Sequence, residues 1–251
     1  MIIRSYHHNP MTRLHKLDGE ASNLHFGFEL ELGNFTEEKR DSLSEALYAD
    51  DPREEHYYQM RDGSIPDYGF ELISQPRTLR SHQNAPWNLV FNHICQHCPV
   101  KHKVSGGGLH VHMSSRFFTD HGKRRLDKFI NAKENRDFLE TFARRKEAHW
   151  SKYLDKNEQE LGTSRTKYEA VNFNTSTGKT IELRIFRGTV REEYLLATLE
   201  FCHAVAKLSE TTELPMTWEN LCKYAKDYPV RGKYANLVKY LKAKKIFAGA
   251  Q

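Results

Sequence analysis

Leu24-His-Phe-Gly-Phe-Glu-Leu-Glu-Leu32 alternates apolar side chains with His25, Gly27, Glu29 and Glu31. Because successive side chains of a β-strand point to opposite faces, this stretch predicts a strand at about 23–33 with one apolar face and one face of potential ligands. Carboxylates two residues apart on a strand lie about 7 Å from each other and repel unless positive charge lies nearby. A positive charge beside Glu29 and Glu31 would therefore stabilise such a strand.

Three later stretches have the same design. Phe70 and Leu72 flank Glu71, and the stretches Gly108-Leu-His-Val-His-Met-Ser114 and Thr180-Ile-Glu-Leu-Arg-Ile-Phe-Arg187 also alternate apolar with polar residues. Laid side by side in one sheet, the four strands would have a core on one face and, on the other, Glu29, Glu31, Glu71, His110, His112, Glu182 and Arg184. For any single strand a solvated antiparallel face is the favoured alternative, but such faces usually carry Thr, Lys, Arg and Ser. The four together predict a metal-dependent active site.

Size and composition set broad limits on the protein. A chain of 251 residues can bury a substantial core, and its net charge of +5, with a pI near 8.9, favours an anionic ligand such as a nucleotide, a peptide carboxylate or nucleic acid. No stretch is long and apolar enough to span a membrane, and the N-terminus lacks a hydrophobic secretion segment, so we expect a cytoplasmic protein. Four cysteines do not make a disulfide scaffold, so we expect reduced thiols.

Hydrophobic periodicity and capping residues predict the remaining elements. A further strand is expected at about 56–60, and helices are expected at about 36–49 and 85–100, over Arg124–Trp150, after Thr189-Val-Arg-Glu192, after Thr217, and around Tyr234–Leu241. Strands interleaved with helices and followed by helices alone are typical of an α+β fold.

Two competing motifs are weaker. A Cys-x-x-Cys among several histidines hints at zinc, but no second pair follows and the cysteines lie on a predicted amphipathic helix, so a structural role is favoured for His93, Cys95, His97, Cys98 and His102. The C-terminal lysines could contact nucleic acid, but a solvated helix face is favoured for Lys239, Lys242, Lys244 and Lys245. The chain has no P-loop, no Gly-x-Gly-x-x-Gly after a strand and no Gly-x-Ser-x-Gly elbow.

The sequence resembles the carboxylate–amine ligases of the glutamine synthetase fold, and most closely the small amidoligase family. The motifs that carry the resemblance occur in the family's order over about residues 24–190. They are Phe26-Gly-Phe-Glu-Leu-Glu31, Asp62-Gly-Ser64, Gly69-Phe-Glu-Leu-Ile-Ser-Gln-Pro76, Gly108-Leu-His-Val-His112, the segment with Arg165, Tyr168 and Asn172, and Thr180 to Thr189. Residues from about 190 to 251 carry no matching motif.

The resemblance implies a single amidoligase-like catalytic domain over residues 1–251. Its expected architecture is a curved antiparallel sheet with helices packed on the outer face, followed by a helical C-terminal part. ATP and Mg²⁺ or Mn²⁺ would lie in the concavity. The γ-phosphate would pass to a substrate carboxylate, an amine would attack the resulting acyl phosphate, and the enzyme would release ADP and phosphate.

The resemblance also assigns roles to single residues. One metal would be held by Glu29, His110 and Glu182, and a second by Glu31 and Glu71, completed by Asp62, water or substrate. Arg184 would face the carboxylate or the transferring phosphoryl group. Around the ATP phosphates and the substrate carboxylate the family pattern places His112, Ser114, Arg165 and Arg187. Glutamine synthetases proper carry a further acidic ligand and an N-terminal domain that this sequence lacks, so ammonia and glutamate are not assumed as substrates.

Small amidoligases are thought to act on peptides and on cell-wall or modified-base precursors, so the acid and the amine stay open. Two other classes remain alternatives. One is a phosphotransferase of the same fold, which would yield a stable phosphorylated product without an amide. The other is a non-catalytic protein that binds nucleic acid through its basic surface, with salt-dependent binding and no ATP turnover.

Overall fold

The structure is a computed structural model that describes residues 2–6, 11–65, 68–97, 107–211, 214–228, 230 and 232–246. The chain forms two compact units. Unit 1 consists of Met1–His110 and Arg187–Leu195, and unit 2 consists of Val111–Phe186 and Leu196–Gln251.

Six strands and eight α-helices are found in the described part of the chain. The strands are β1 (Phe26–Leu32), β2 (Tyr57–Met60), β3 (Phe70–Ser74), β4 (Gly108–Ser114), β5 (Val171–Asn172) and β6 (Thr180–Arg187). They form one open antiparallel sheet in the order β2-β3-β1-β4-β6-β5. The α+β class is therefore confirmed, and the four strands expected to carry ligands are neighbours in one sheet, as predicted.

The helices are α1 (Glu37–Asp50), α2 (Leu79–Gln83), α3 (Trp87–His97), α4 (Asp120–Asn131), α5 (Arg136–Ala143), α6 (Glu192–Ser209), α7 (Trp218–Asp227) and α8 (Ala235–Ala243). Thr36 caps α1 by accepting the N–H of Lys39, and Thr217 caps α7 by accepting the N–H of Asn220. Each cap satisfies one of the amide groups that the first turn leaves without a helical partner. The cap predicted at Thr217 is confirmed.

Unit 1 buries the apolar side of β1. The strand alternates buried Phe and Leu with half-buried Gly and Glu along its whole length. Phe28 packs edge-on against Trp87 of α3, with ring centroids 5.0 Å apart. The apolar–polar alternation in the sequence therefore corresponds to a buried face and a partly exposed face of β1.

Unit 2 has an aromatic core. Phe142 of α5 stacks on Phe201 of α6 with ring centroids 4.4 Å apart, and Phe186 of β6 meets Phe201 edge-on at 5.9 Å. The hydroxyl of Tyr240 in α8 donates a hydrogen bond to the carbonyl of Phe142 at 3.0 Å. The C-terminal helices α7 and α8 thus belong to the same unit as β5 and β6.

The single helix predicted over Arg124–Trp150 is wrong. Ala132 adopts an extended conformation after α4, a 3-10 turn follows, and α5 ends at Arg144 in the left-handed conformation. The Asn135 side-chain amide donates to the carbonyl of Phe129, which α4 leaves without a helical donor. Polar side chains that bind backbone groups therefore divide a continuous apolar stripe into two helices.

Two further details differ from the sequence-based expectations. The helix predicted after Thr189 starts at Glu192. In a capping box the Thr189 hydroxyl would accept the N–H of Glu192, but here it accepts the N–H of Arg191 in a tight turn. The sequence periodicity also missed the five-residue helix α2 and the two-residue strand β5, both too short to show a period.

The described cysteines Cys95, Cys202 and Cys222 are free thiols, and Cys98 lies outside the described residues. Among the helices described, none combines the length and the apolar character needed to cross a membrane.

Candidate functional site

Unit 1 gathers five of the predicted ligands into one group. We call this group the carboxylate cluster, and its members are Glu29, Glu31, Asp62, Glu71 and His110. The antiparallel register of β1 and β3 places Glu31 directly opposite Glu71. Directly opposed residues in a sheet have side chains on the same face, so the two carboxylates lie close together and repel each other when both are ionised.

The His110 imidazole lies between the two glutamates of β1. Its Nδ1 is 3.4 Å from Oε2 of Glu29, and its Nε2 is 3.7 Å from Oε1 of Glu31. The ring is buried, and the other carboxylate oxygen of Glu31 accepts the backbone N–H of Gly108. β4 therefore supplies both an imidazole and an amide to the glutamates of β1.

Glu71 is buried and surrounded by acidic groups. Burial, together with the charges of Glu29, Asp62 and Glu31, raises the pKa of its carboxyl to about 9. A hydrogen bond with the side chain of Asp62 also favours the protonated form, because two carboxyl groups can share a hydrogen bond only if one of them holds a proton. The cluster thus contains more acidic groups than it can ionise without a cation.

The same crowding acts on Tyr58 of β2. Burial raises the pKa of the Tyr58 phenol, and the charges of Glu29 and Glu71 add to the effect. Acidic oxygens are the ligands preferred by hard cations such as Mg²⁺ and Mn²⁺. The chemistry of the carboxylate cluster therefore fits a divalent cation. Such a cation would neutralise the carboxylate charge that is otherwise neutralised by bound protons.

Unit 2 holds a second polar group on β5 and β6. Glu182 is buried, forms an ion pair with Arg184, and accepts a hydrogen bond from the Asn172 side-chain amide at 2.9 Å. The Arg184 guanidinium also donates from Nε to the carbonyl of Trp150 at 3.1 Å. These contacts fix the planes of both the carboxylate and the guanidinium.

His112 belongs to this second group. Its Nδ1 is 3.1 Å from Oγ1 of Thr180, and its ligand nitrogen lies within 4.8 Å of a carboxylate oxygen of Glu182. A hydrogen bond on one ring nitrogen is the usual way in which proteins orient a metal-binding imidazole. Glu182 and His112 therefore form a carboxylate–imidazole pair suited to a cation or to phosphate oxygens.

The remaining predicted residues are placed differently. Arg165 is exposed and pairs with Glu160, and its backbone N–H is bound by Glu169, so none of its described contacts joins it to Glu182 or His112. Ser114 ends β4 with a partly exposed side chain, and Arg187 ends β6 with an exposed one. The roles expected of these three residues stay predictions.

Glycine positions matter next to the carboxylate cluster. A Cβ on Gly188 would lie 2.9 Å from the carbonyl oxygen of Gly107, which accepts the Gly188 N–H. Glycines let backbone approach a phosphate closely, and a Gly-rich segment, Gly106–Gly108, leads into β4. Its described part, Gly107 and Gly108, instead contacts the protein's own backbone and Glu31, and Gly106 lies outside the described residues.

Asn172 belongs to one of the family motifs, but the sequence alone did not indicate what its side chain does. Its amide group holds Glu182, and its carbonyl oxygen accepts the N–H of Asn174 at 2.9 Å. The only signal in the sequence was its position in the family motif, because a buried amide has no periodicity of its own.

The weaker motifs have local contacts. His93 pairs with Asp50 at 2.7 Å, His97 bonds to the carbonyl of His93, and the Cys95 thiol reaches the carbonyl of Val190. Cys98 and His102 lie outside the described residues. The lysines at the end of α8 have exposed side chains, as on a solvated helix face.

No protein-family model matches this chain, and no curated protein is significantly similar to it. The amidoligase resemblance therefore stays a prediction that depends on the motifs and on the geometry of their side chains.

Proposed function

We propose that this protein is an ATP- and Mg²⁺- or Mn²⁺-dependent carboxylate–amine ligase. It would join an acid to an amine through an acyl phosphate and release ADP and phosphate. The observation that carries the proposal is the carboxylate cluster, in which four acidic side chains and an imidazole converge in one unit. A structural role alone gives no reason to gather four acidic side chains, one of them buried and three partly buried.

The cluster has the donor set expected for a hard divalent cation. Glu29, Glu31 and Glu71 would supply carboxylate oxygens, and His110 would supply a nitrogen, a combination that suits Mn²⁺ as well as Mg²⁺. In unit 2, Glu182 and His112 form their own carboxylate–imidazole pair, which would suit a cation or phosphate oxygens. When bound with ATP, divalent cations neutralise the charge that develops on the transferring phosphoryl group.

Arg184 supports the phosphoryl-transfer part of the proposal. Its guanidinium is held in plane by Glu182 and by the Trp150 carbonyl, and a planar guanidinium can grip a carboxylate or phosphate through two parallel hydrogen bonds. A group fixed in this way can orient the acceptor carboxylate without reorganising during the reaction. Asn172 would act as a positioning residue, because it holds the other oxygen of Glu182.

The test is the identity of the nucleotide product. The purified protein is incubated with ATP, Mg²⁺ or Mn²⁺, a panel of carboxylic acids, and hydroxylamine in place of the amine. The proposal expects ADP and phosphate, together with a hydroxamate, because hydroxylamine intercepts activated carboxylates. An exposed-site variant, Glu45→Gln, serves as the matched control for Glu29→Gln, which is expected to abolish turnover.

Other products would contradict the proposal in different ways. AMP and pyrophosphate would mean attack at the α-phosphorus and adenylation. A stable phosphorylated product without hydroxamate would favour the phosphotransferase. Salt-dependent binding of nucleic acid with no ATP turnover would favour a non-catalytic binding protein.

A further inference from the structure

Three aromatic rings in unit 2 form a small surface beside Arg184. We call it the aromatic platform, and it consists of His149, Trp150 and Tyr168. The Trp150 ring meets the Tyr168 ring edge-on at 4.9 Å and the His149 ring edge-on at 4.7 Å. Although it packs against two rings, the Trp150 side chain is 49% exposed.

Backbone hydrogen bonds hold the platform in place. Ser151 donates to Ala148 at 3.0 Å and closes the turn that carries His149 and Trp150. The next residue, Lys152, donates to the carbonyl of Tyr168 at 2.8 Å, which ties the two ring-bearing segments together. Because the turn is fixed and the Trp150 ring packs against two others, the indole loses little conformational entropy when a ligand covers it.

The platform is joined directly to the predicted reaction groups. The carbonyl of Trp150 accepts the hydrogen bond from Nε of Arg184, whose guanidinium also pairs with Glu182. The ammonium of Lys167 also lies beside the platform, 5.4 Å from the centre of the Tyr168 ring. A planar ligand on the exposed Trp150 ring would therefore meet an aromatic face, with the Arg184 guanidinium bonded to the carbonyl of the same residue.

We propose that the platform recognises the acid substrate, and that this acid carries a planar aromatic or heteroaromatic ring. The inference rests on the proposed ligase function, in which Arg184 holds the carboxylate. The ring of the acid would stack on the exposed face of Trp150 while its carboxylate meets Arg184. Stacking of a planar ring on an aromatic side chain contributes enough to select such acids over non-planar acids of the same charge.

The first experiment compares benzoate with cyclohexanecarboxylate, which has the same charge and a similar size but a puckered ring. Binding is followed by tryptophan fluorescence and calorimetry in the presence of Mg²⁺ and a non-hydrolysable ATP analogue. Trp87 is fully buried and Trp218 is stacked on Phe138, so Trp150 is the indole most open to quenching. We expect benzoate to bind at least about fivefold more tightly and to quench the fluorescence. Equal affinities would overturn the inference.

The second experiment uses Trp150→Ala, which removes the ring but keeps the backbone carbonyl that binds Arg184. We expect the preference for benzoate to disappear, Trp150→Phe to retain most of it, and Tyr48→Ala, at another exposed aromatic residue, to change nothing. Unchanged melting temperatures confirm that all three variants are folded. A preference that survives in Trp150→Ala would contradict the inference.

A comparison of nucleotide ligands distinguishes a failure of the acid-recognition inference from a failure of the proposed ligase function. If ATP binds more tightly than tripolyphosphate and Trp150→Ala removes only that difference, the platform holds the nucleotide base, and the assignment to the acid is wrong. If neither ATP nor its analogue binds with metal present, the proposed function itself fails. If the nucleotide binds normally and no ring-bearing acid is preferred, only this inference fails.

Discussion

Glu71 is the residue on which the electrostatics of the site depend most. It lies opposite Glu31 in the sheet, shares a hydrogen bond with Asp62, and has a pKa raised to about 9, mainly by burial. In the absence of a cation its side chain is therefore neutral at pH 7, and a bound divalent ion would have to displace the proton.

Glu71→Gln separates structure from cation binding at this position. Glutamine has the same shape and can still donate to Asp62, so the melting temperature without metal is expected to stay within about 2 °C of the wild-type value or to rise. Affinity for Mn²⁺ is expected to fall by about tenfold or more, because an amide oxygen replaces a carboxylate ligand. Thermal unfolding and Mn²⁺ calorimetry make the comparison. A large loss of stability with unchanged Mn²⁺ affinity would assign Glu71 to the core.

Residue identities predicted the carboxylate cluster, but not its internal contacts. Alternation along β1 and β4 placed Glu29, Glu31 and His110 on the ligand side, and their proximity in unit 1 agrees with that expectation. The bond from Asn172 to Glu182 depends on the register of β5 with β6, which no local pattern encodes. Arg165 was expected near the phosphates, and its pairing with Glu160 could not be predicted because it depends on a loop conformation.

Among the elements, the entry into β3 is tightly constrained by its neighbours. A Cβ added to Gly69 would lie 2.1 Å from a methyl carbon of Ile65 and 2.9 Å from the carbonyl oxygen of Leu32. Gly63, in the turn just before, has open space around the same position. The two glycines therefore offer a matched pair for testing whether the approach of the Asp62 turn to β1 is required.

Gly69→Ala is expected to destabilise the protein by about 1–3 kcal/mol, because backbone must move to relieve the contact with Leu32. Gly63→Ala is expected to change the stability by less than about 1 kcal/mol in either direction. Urea unfolding of the two variants and the wild type measures the difference. Equal stabilities for the two variants would mean that the turn can shift away from β1 without cost.

Hydrophobic periodicity predicted the type of an element, helix or strand, where the periodic segment was long enough. The strands β1, β3, β4 and β6 and the helix α1 were predicted close to their observed bounds. The division between α4 and α5 was not predicted, because the apolar stripe continues through it while the side chains of Asn131 and Asn135 donate to backbone carbonyls of α4. The helix α2 was missed because five residues show no repeat.

Considering the whole molecule, each unit contains a buried histidine whose pKa is lowered by its burial. His82 in unit 1 bonds to the carbonyl of Phe26 and packs beside Trp87, and burial lowers its pKa to about 3. His203 in unit 2 bonds to the hydroxyl of Tyr234, and burial likewise lowers its pKa to about 3. Neither residue belongs to the predicted reaction groups.

These two histidines predict a loss of stability in acid. Between pH 6.5 and about 3 the unfolded chain binds a proton at each site that the folded chain does not, so the free energy of unfolding falls as the pH falls. Each site contributes up to about 1.4 kcal/mol per pH unit. Urea unfolding at several pH values, with His82→Gln for comparison, measures the slope. A variant with the same acid slope as the wild type would show that His82 is protonated in the folded state.

The α+β class and the placement of the four ligand-bearing strands in one sheet followed from the sequence, whereas the order of the strands and the division of the chain into two units did not. No composition shift or linker marks that division, since its boundaries fall within β4, before the last residue of β6 and within α6. Packing between elements distant in the sequence produces it, and such packing leaves no local signal.

Calorimetric titration of ATP with and without divalent cation tests most directly whether the carboxylate cluster is a cation site that serves nucleotide binding. We predict binding of ATP in Mg²⁺ or Mn²⁺, its loss on addition of a chelator, a weakening of at least about tenfold in Glu31→Gln, and no change in the exposed control Glu45→Gln. ATP binding of equal strength with and without metal, or binding that Glu31→Gln leaves unchanged, would contradict this account.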